Sequence, residues 1–286
     1  MYVITGISGN TGSAAAAALL ADGHPVRALV RDAGRAAAWR DRGVELIEGD
    51  LEDSDTLARA LDGATGAYVL APADPQDPDP VASYQRIAEA VRSGATAAGL
   101  GRLVFLSSEG AHLSQGTGPI LGLRHAEAIL AGVAPITTFL RPSFFQENWR
   151  PVFGLARAQG IMPSMLQPLD AARAQVATPD IGEEVARLLV EASPPAIVEL
   201  AGPADASAVD AAAAMAHALG RDVAPVPVPR EAWAETLIGT GLGEPYAALL
   251  CEMYDGINAG HVRFSGEGEM RRGRRTLDET VQGWLG

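Results

Sequence analysis

The chain has 286 residues and a mass of 29.6 kDa, enough for one large domain or two interlocked ones around a substantial buried core. Apolar residues make up 48% and charged residues 20%, a globular balance that excludes disordered, fibrous and collagenous classes. With 35 acidic residues against 22 basic ones the formal charge is −13, which disfavours a general polyanion binder, so any anionic ligand must be caught by a local trap.

The single cysteine, Cys251, can form neither an internal disulfide nor a thiolate metal site, and it reads as a buried helix residue in a reducing, cytoplasmic setting. The apolar stretch around 14–20 is short and follows three glycines with no basic leader, so no signal peptide is expected there. No window approaches the roughly 18 uninterrupted apolar residues of a membrane span. His24, His112, His217 and His261 show no ligand spacing with one another or with carboxylates, so no metal site is expected.

Short apolar runs alternate with helix patterns through the first half. The patterning predicts strands at 2–5, 25–30, 44–48, 66–70 and 102–107, with helices at 11–21, 33–42, 54–61 and 81–98 between them. A helix at 122–131, a strand at 136–140 and a returning strand at 196–200 follow. Leu103, Val104, Phe105 and Leu106 are apolar without alternation, the pattern of a strand buried on both faces. Repeated βα units with right-handed crossovers predict an α/β fold, an open, doubly wound parallel sheet of the Rossmann type. After Gly202 the helix patterns 206–219, 230–238 and 245–259, with a strand at 224–228, predict a smaller, mainly helical domain. The expected division is 1–142 with 176–202 for the sheet domain, and 143–175 with 203–286 for the smaller one. The basic run 270–275 reads as a solvated C-terminal segment.

Thr5, Gly6, Ile7, Ser8, Gly9, Asn10, Thr11 and Gly12 place glycines three apart between the first strand and the first helix. Spacing alone is a weak signal, and this position is what makes it informative. Gly6 suits the turn leaving the strand, Gly9 lets the backbone approach a pyrophosphate, and Gly12 lets the helix lie close to the sheet. The helix start then offers unpaired N–H groups and a partial positive charge to phosphates; a tight structural turn is the alternative. At the end of the second strand Arg31, with Arg35 behind it, suits a ribose 2′-phosphate and favours NADP(H) over NAD(H). Asp32 argues the other way, and a solvated strand-end charge is the alternative for Arg31. At later strand ends, Asp50 and Leu51 are placed to meet the adenine edge and Ala71 and Pro72 to border the nicotinamide ribose. Ser107 and Ser108 are placed to hydrogen-bond the carboxamide or a substrate oxygen, which makes Ser108 a candidate catalytic residue; a helix cap is the alternative for both.

These motifs are joined by the strand end Val26 to Asp32, by Gly49, Asp50 and Leu51, by Val104 to Ser108, by the run Leu140, Arg141, Pro142, Ser143, Phe144, Phe145, Gln146, Glu147 and Asn148, and by Pro179, Asp180 and Ile181. Together they make the chain resemble, over nearly its whole length, the NmrA-like family, a branch of atypical short-chain dehydrogenases that includes NAD(P)H quinone reductases and nucleotide-sensing regulators. The resemblance implies that Pro142, Phe144, Phe145 and Asn148 border the meeting point of nicotinamide and substrate. With Trp149 the aromatics would form a slot for a planar ring, or else belong to the core. Typical members of the wider superfamily use a Tyr, and a Lys four residues later, to protonate a carbonyl. Aligned on Glu127 and Leu130, this chain has Pro119 and Leu123 at those positions, and neither transfers a proton. A quinone is more forgiving, because hydride addition gives an anion of lower basicity that water or one histidine can protonate. His125, on the helix that borders the nicotinamide in relatives, is the candidate helper, with a helix-surface histidine as the alternative.

The expected function is an NAD(P)H-dependent oxidoreductase passing hydride to a quinone-like or conjugated carbonyl acceptor. Its partner would be a small apolar or aromatic substrate, not nucleic acid or membrane, and a homodimer is allowed. The rival readings are a non-catalytic NAD(P)-sensing regulator and a dinucleotide-holding enzyme of rearrangement or cyclisation.

Overall fold

The structure, a computed structural model, describes residues 1–285. In chain order the first half runs β1 (Tyr2–Thr5), α1 (Asn10–Ala21), β2 (Val26–Val30), α2 (Ala37–Arg40), β3 (Glu45–Glu48), α3 (Ser54–Leu61), β4 (Gly66–Leu70), α4 (Pro80–Ala98), β5 (Arg102–Leu106), α5 (Ile120–Leu130) and β6 (Ile136–Pro142). The second half runs β7 (Phe144–Phe145), α6 (Arg150–Gln159), β8 (Ile161–Ser164), β9 (Arg173–Val176), α7 (Thr178–Val190), β10 (Ile197–Ala201), β11 (Asp205–Ala206), α8 (Ala208–Leu219), β12 (Ala224–Pro227), α9 (Trp233–Gly239), α10 (Glu244–Asn258), β13 (Glu269–Arg272) and α11 (Leu277–Gln282). Eight strands form the main sheet in the order β13-β10-β6-β5-β4-β1-β2-β3, with every neighbour parallel. The fold is a Rossmann-like α/β sheet flanked by helices.

Alternate residues of β1, β2, β4 and β5 enter different cores, which explains why these strands are largely apolar. Ile4, Ala28, Tyr68, Val104, Leu140 and Val198 pack with Ala15, Leu19, Ile181 and Val185 of α1 and α7. On the opposite face Val3, Leu29, Val69 and Phe105 pack with Leu57, Ile87, Val91 and Leu130 of α3, α4 and α5. The alanine run in α1 serves close packing: a Cβ added at Gly182 of α7 would meet the Ala14 Cβ at 2.4 Å and the Ala15 nitrogen at 2.6 Å. A third core, with Trp149, Phe153, Met162, Met215, Ile257 and Val281, belongs to a lobe above the sheet built on α6, α8, α10 and α11. Two short sheets, β12-β8 and β11-β9-β7, complete it.

Two expectations are corrected here. The helix expected at 33–42 shrinks to the single turn of α2, because the Asp32 carboxylate accepts the N–H groups of Gly34 (2.8 Å) and Arg35 (3.1 Å) and folds the chain into a turn first. The basic run 270–275 is only partly solvated: Met270, Arg272 and Arg274 are exposed, but residues 269–272 form β13, an edge strand of the main sheet paired with β10, and so lie outside the smaller unit. Arg271 is only 8% exposed and pairs with Glu184, Glu191 and Glu269, while Arg275 pairs with the buried Asp180. Among the described residues no helix is long and apolar enough to cross a membrane.

Candidate active site

The C-terminal ends of β1, β2, β3 and β4 open onto a groove of about 810 Å³, lined among others by Gly6, Ser8, Gly9, Arg31, Asp50, Leu51 and Pro72. Its floor depends on glycine. Gly6 leaves β1 at φ +64°, in the left-handed region that favours glycine. A Cβ at Gly12 would lie 2.3 Å from the Gly6 carbonyl oxygen and 2.8 Å from that of Thr5, so only glycine lets α1 begin this close to the strand. Gly9, exposed at the N-cap, has no side chain to cap the helix, and the first turn carries no acid. The first N–H groups of α1 are therefore left for an anionic ligand, and the helix dipole favours negative charge at that point. The uncapped, glycine-walled helix start fits a pyrophosphate.

The two threonines of the loop hold the scaffold together. The Thr5 hydroxyl accepts the Leu70 N–H (3.1 Å), joining β1 to β4, and the Thr11 hydroxyl pairs with that of Tyr68 (2.9 Å) in the interior, where burial pushes the Tyr68 phenol up and keeps it neutral. Asn10 is exposed at the start of α1. Arg31 and Arg35 stand exposed in the groove wall, and the turn that uses Asp32 Oδ1 lies between them. Ala71 is half-buried next to Pro72.

The ends of β5 and β6 carry a buried polar cluster that sequence reasoning missed. Ser107 donates its hydroxyl to the Glu127 carboxylate of α5, and Arg141 of β6 binds the same carboxylate through Nε (2.9 Å) and Nη2. All three are less than one-tenth exposed, so the Ser107 hydroxyl is committed to tying β5, β6 and α5 together. Ser108 is half-buried beside it. Next in the chain, Glu109 donates its N–H to the Pro142 carbonyl (3.0 Å), and its Oε1 accepts the Phe144 N–H (3.1 Å). Burial pushes the Glu109 carboxyl up to about 8, opposed by the Phe144 hydrogen bond and helped by the neighbouring charges of Asp205 and Glu199.

Several expected site residues are not brought together. The His125 ring pairs through Nδ1 with Gln85 Nε2 of α4 (2.7 Å), outside the residues that line the groove. Phe144 and Phe145 are consecutive strand residues, and they pack in different cores: Phe145 against the sheet core, Phe144 against the lobe. Trp149 is 4% exposed, edge-on to Phe144 with ring centroids 5.9 Å apart, and it donates Nε1–H to Gln175 (2.9 Å). It belongs to the lobe core, so no joint aromatic slot forms from the three rings. Asn148 is exposed. Pro119 is the N-cap of α5, Leu123 is half-buried, and the helix carries neither tyrosine nor lysine; the chain contains no lysine at all. Among the described residues no group of three or more His, Cys, Asp or Glu is placed to hold a metal ion.

Comparison with known proteins agrees with this architecture. An NAD(P)H azoreductase of Xenophilus azovorans is 28% identical over 258 residues, covering 89% of this chain and 86% of that protein. The NADPH-dependent quinone oxidoreductase of Escherichia coli, solved with NADPH, shares the fold with a TM-score of 0.82 at 22% identity, over the whole of both chains. The triphenylmethane reductase of Citrobacter sp., solved with NADP(H), does so with a TM-score of 0.81 at 20% identity, over 99% of each. The model of the NmrA-like family matches residues 2–265, nearly the whole sequence, and the chain belongs to that family.

Proposed function

We propose that this protein is an NAD(P)H-dependent oxidoreductase that reduces a small quinone-like or otherwise conjugated aromatic acceptor, with NADP(H) preferred over NAD(H). The observation that carries the reading is the uncapped start of α1, held against β1 by Gly6 and Gly12 at the head of the groove. In this reading Gly6, Ser8 and Gly9 form the pyrophosphate cradle, with the backbone N–H groups of Asn10, Thr11 and Gly12. Asp50 and Leu51 border the adenosine, and Ala71 and Pro72 the nicotinamide ribose. Arg31 and Arg35 take the 2′-phosphate, a role favoured by the turn in which Asp32 Oδ1 already accepts two backbone N–H groups and is less available to a 2′-hydroxyl. The bound, reduced nicotinamide supplies the hydride.

The acceptor class draws on two things: relatives whose names describe reductases of azo compounds, quinones and triphenylmethane dyes, and an α5 without tyrosine or lysine to protonate an alkoxide. The sheet domain, comprising 1–142, 176–202 and β13, would hold the cofactor, and the lobe would supply the acceptor pocket, with Phe144 and Asn148 at the junction. The test is oxidation of NADPH and of NADH by purified protein with quinones, azo dyes, enones and saturated ketones. Quinones or azo dyes are expected to turn over and saturated ketones to fail. NADPH binding without turnover of any acceptor would overturn the reading in favour of a nucleotide-sensing regulator.

A further inference from the structure

The chain that leaves β5 carries a carboxyl group of which the scaffold uses only one oxygen. Glu109 is clamped across the ends of β5 and β6, its N–H on the Pro142 carbonyl and its Oε1 on the Phe144 N–H. Among the described residues Oε2 takes no hydrogen bond, and it is not one of the fully buried polar atoms left without a partner, so on this half-buried residue Oε2 keeps accessible surface. Charged neighbours give it no cation. Asp205 of β11 and Glu199 of β10 are both acidic, Arg141 is bound to Glu127, and Arg263, whose carbonyl accepts the Gly110 N–H, turns its guanidinium to the Gly260 carbonyl.

We propose that Glu109 is the proton donor of the reduction, delivering the proton through Oε2 to the acceptor beside Phe144; the proposal rests on the reductase reading above. On α5, which lacks tyrosine and lysine, the His125 ring is paired at Nδ1 with Gln85 of α4 and lies outside the residues that line the groove. Held up to about 8 by burial, the carboxyl keeps its proton at neutral pH. A quinone that takes a hydride gains two electrons and becomes a hydroquinone monoanion, while the nicotinamide is oxidised. The O–H bond of Glu109 then breaks, its electron pair stays on the carboxylate, and the proton forms the second hydroxyl of the hydroquinone. The Phe144 N–H steadies the new carboxylate until solvent returns a proton.

Two acceptors separate proton delivery from hydride delivery. A para-benzoquinone needs the proton, whereas a cationic triphenylmethane dye is neutralised by the hydride alone. Glu109→Gln retains an acceptor for the Phe144 N–H but has no acidic proton. With purified protein and NADPH, the ratio of quinone to dye turnover is expected to fall at least about 10²-fold in E109Q. Independently of turnover, a carbon-13 carboxyl titration of the ligand-free protein should show one glutamate resonance with a midpoint near 8 that E109Q lacks. An unchanged ratio, or a Glu109 midpoint in the ordinary carboxylate range, overturns the donor role and leaves the reductase reading standing. Failure of the unaltered protein to reduce either acceptor while it binds NADPH overturns both.

Discussion

Valine at Gly9 and alanine at Gly12 are expected to fail in different ways, although the two glycines share one loop. Gly9 is exposed and its backbone is extended, a conformation any residue adopts; a Cβ there comes no closer than 3.3 Å to the Gly6 carbonyl oxygen. Gly9→Val should therefore fold and place its side chain in the space that the proposed function gives to the pyrophosphate at the head of α1. A hydrogen bond from backbone N–H to a charged group is worth about 1.5–3 kcal/mol, so losing two weakens NADPH binding by about 10²–10⁴-fold. At Gly12 the added Cβ meets two backbone oxygens, at 2.3 Å and 2.8 Å, and neither can swing aside as a side chain would. Strand and helix must separate, at a cost of about 1–3 kcal/mol or more in stability. Denaturant unfolding and calorimetric titration with NADPH measure the two quantities separately. A Gly9→Val protein that binds NADPH as tightly as the unaltered one, or a Gly12→Ala protein of unaltered stability, would refute this account of the loop.

Glu127→Ala should destabilise the protein by about 3–5 kcal/mol, because it leaves the Arg141 guanidinium buried and unpaired and the Ser107 hydroxyl without its acceptor; replacing both charges by apolar residues, E127L with R141M, should recover most of the loss in denaturant unfolding. Arg31→Ala should weaken NADPH binding by about 1–3 kcal/mol and NADH binding far less, and equal losses in calorimetry would remove Arg31 from the 2′-phosphate. The raised Glu109 carboxyl means that the folded state holds a proton the unfolded state has released between 4.5 and about 8. Its contribution therefore falls as pH rises through that window. E109Q should flatten this part of the stability profile and be roughly 1–3 kcal/mol the more stable protein above it, as read from urea unfolding at several pH values.

The parallel sheet was legible because β1, β2, β4 and β5 are compact, largely apolar runs set between helix patterns, and the loop between β1 and α1 was legible because its glycines fall at a strand-to-helix junction. What escaped depends on partners distant in the chain. Arg271 reads as solvated until Glu184 and Glu191, some 80 residues earlier, are seen to neutralise it inside the edge of the sheet. Glu109 looks ordinary until Phe144, Glu199 and Asp205 close around it. His125 lies on the expected helix, but the neighbour that claims its ring, Gln85, comes from another one. Phe144 and Phe145 illustrate a local rule that family likeness hides, since neighbours on a strand point to opposite sides and do not line one slot.

Whether the bound cofactor gives up its hydride is decided by single-turnover oxidation of protein-bound NADPH by a quinone, followed as the loss of dihydronicotinamide absorbance. Oxidation is expected to be much faster than in the protein-free mixture, slowed when deuterium replaces the transferred hydrogen, and absent in Gly9→Val at the same NADPH concentration. Tight NADPH binding with no quinone-dependent oxidation, or a groove that binds no dinucleotide, would contradict the reductase reading.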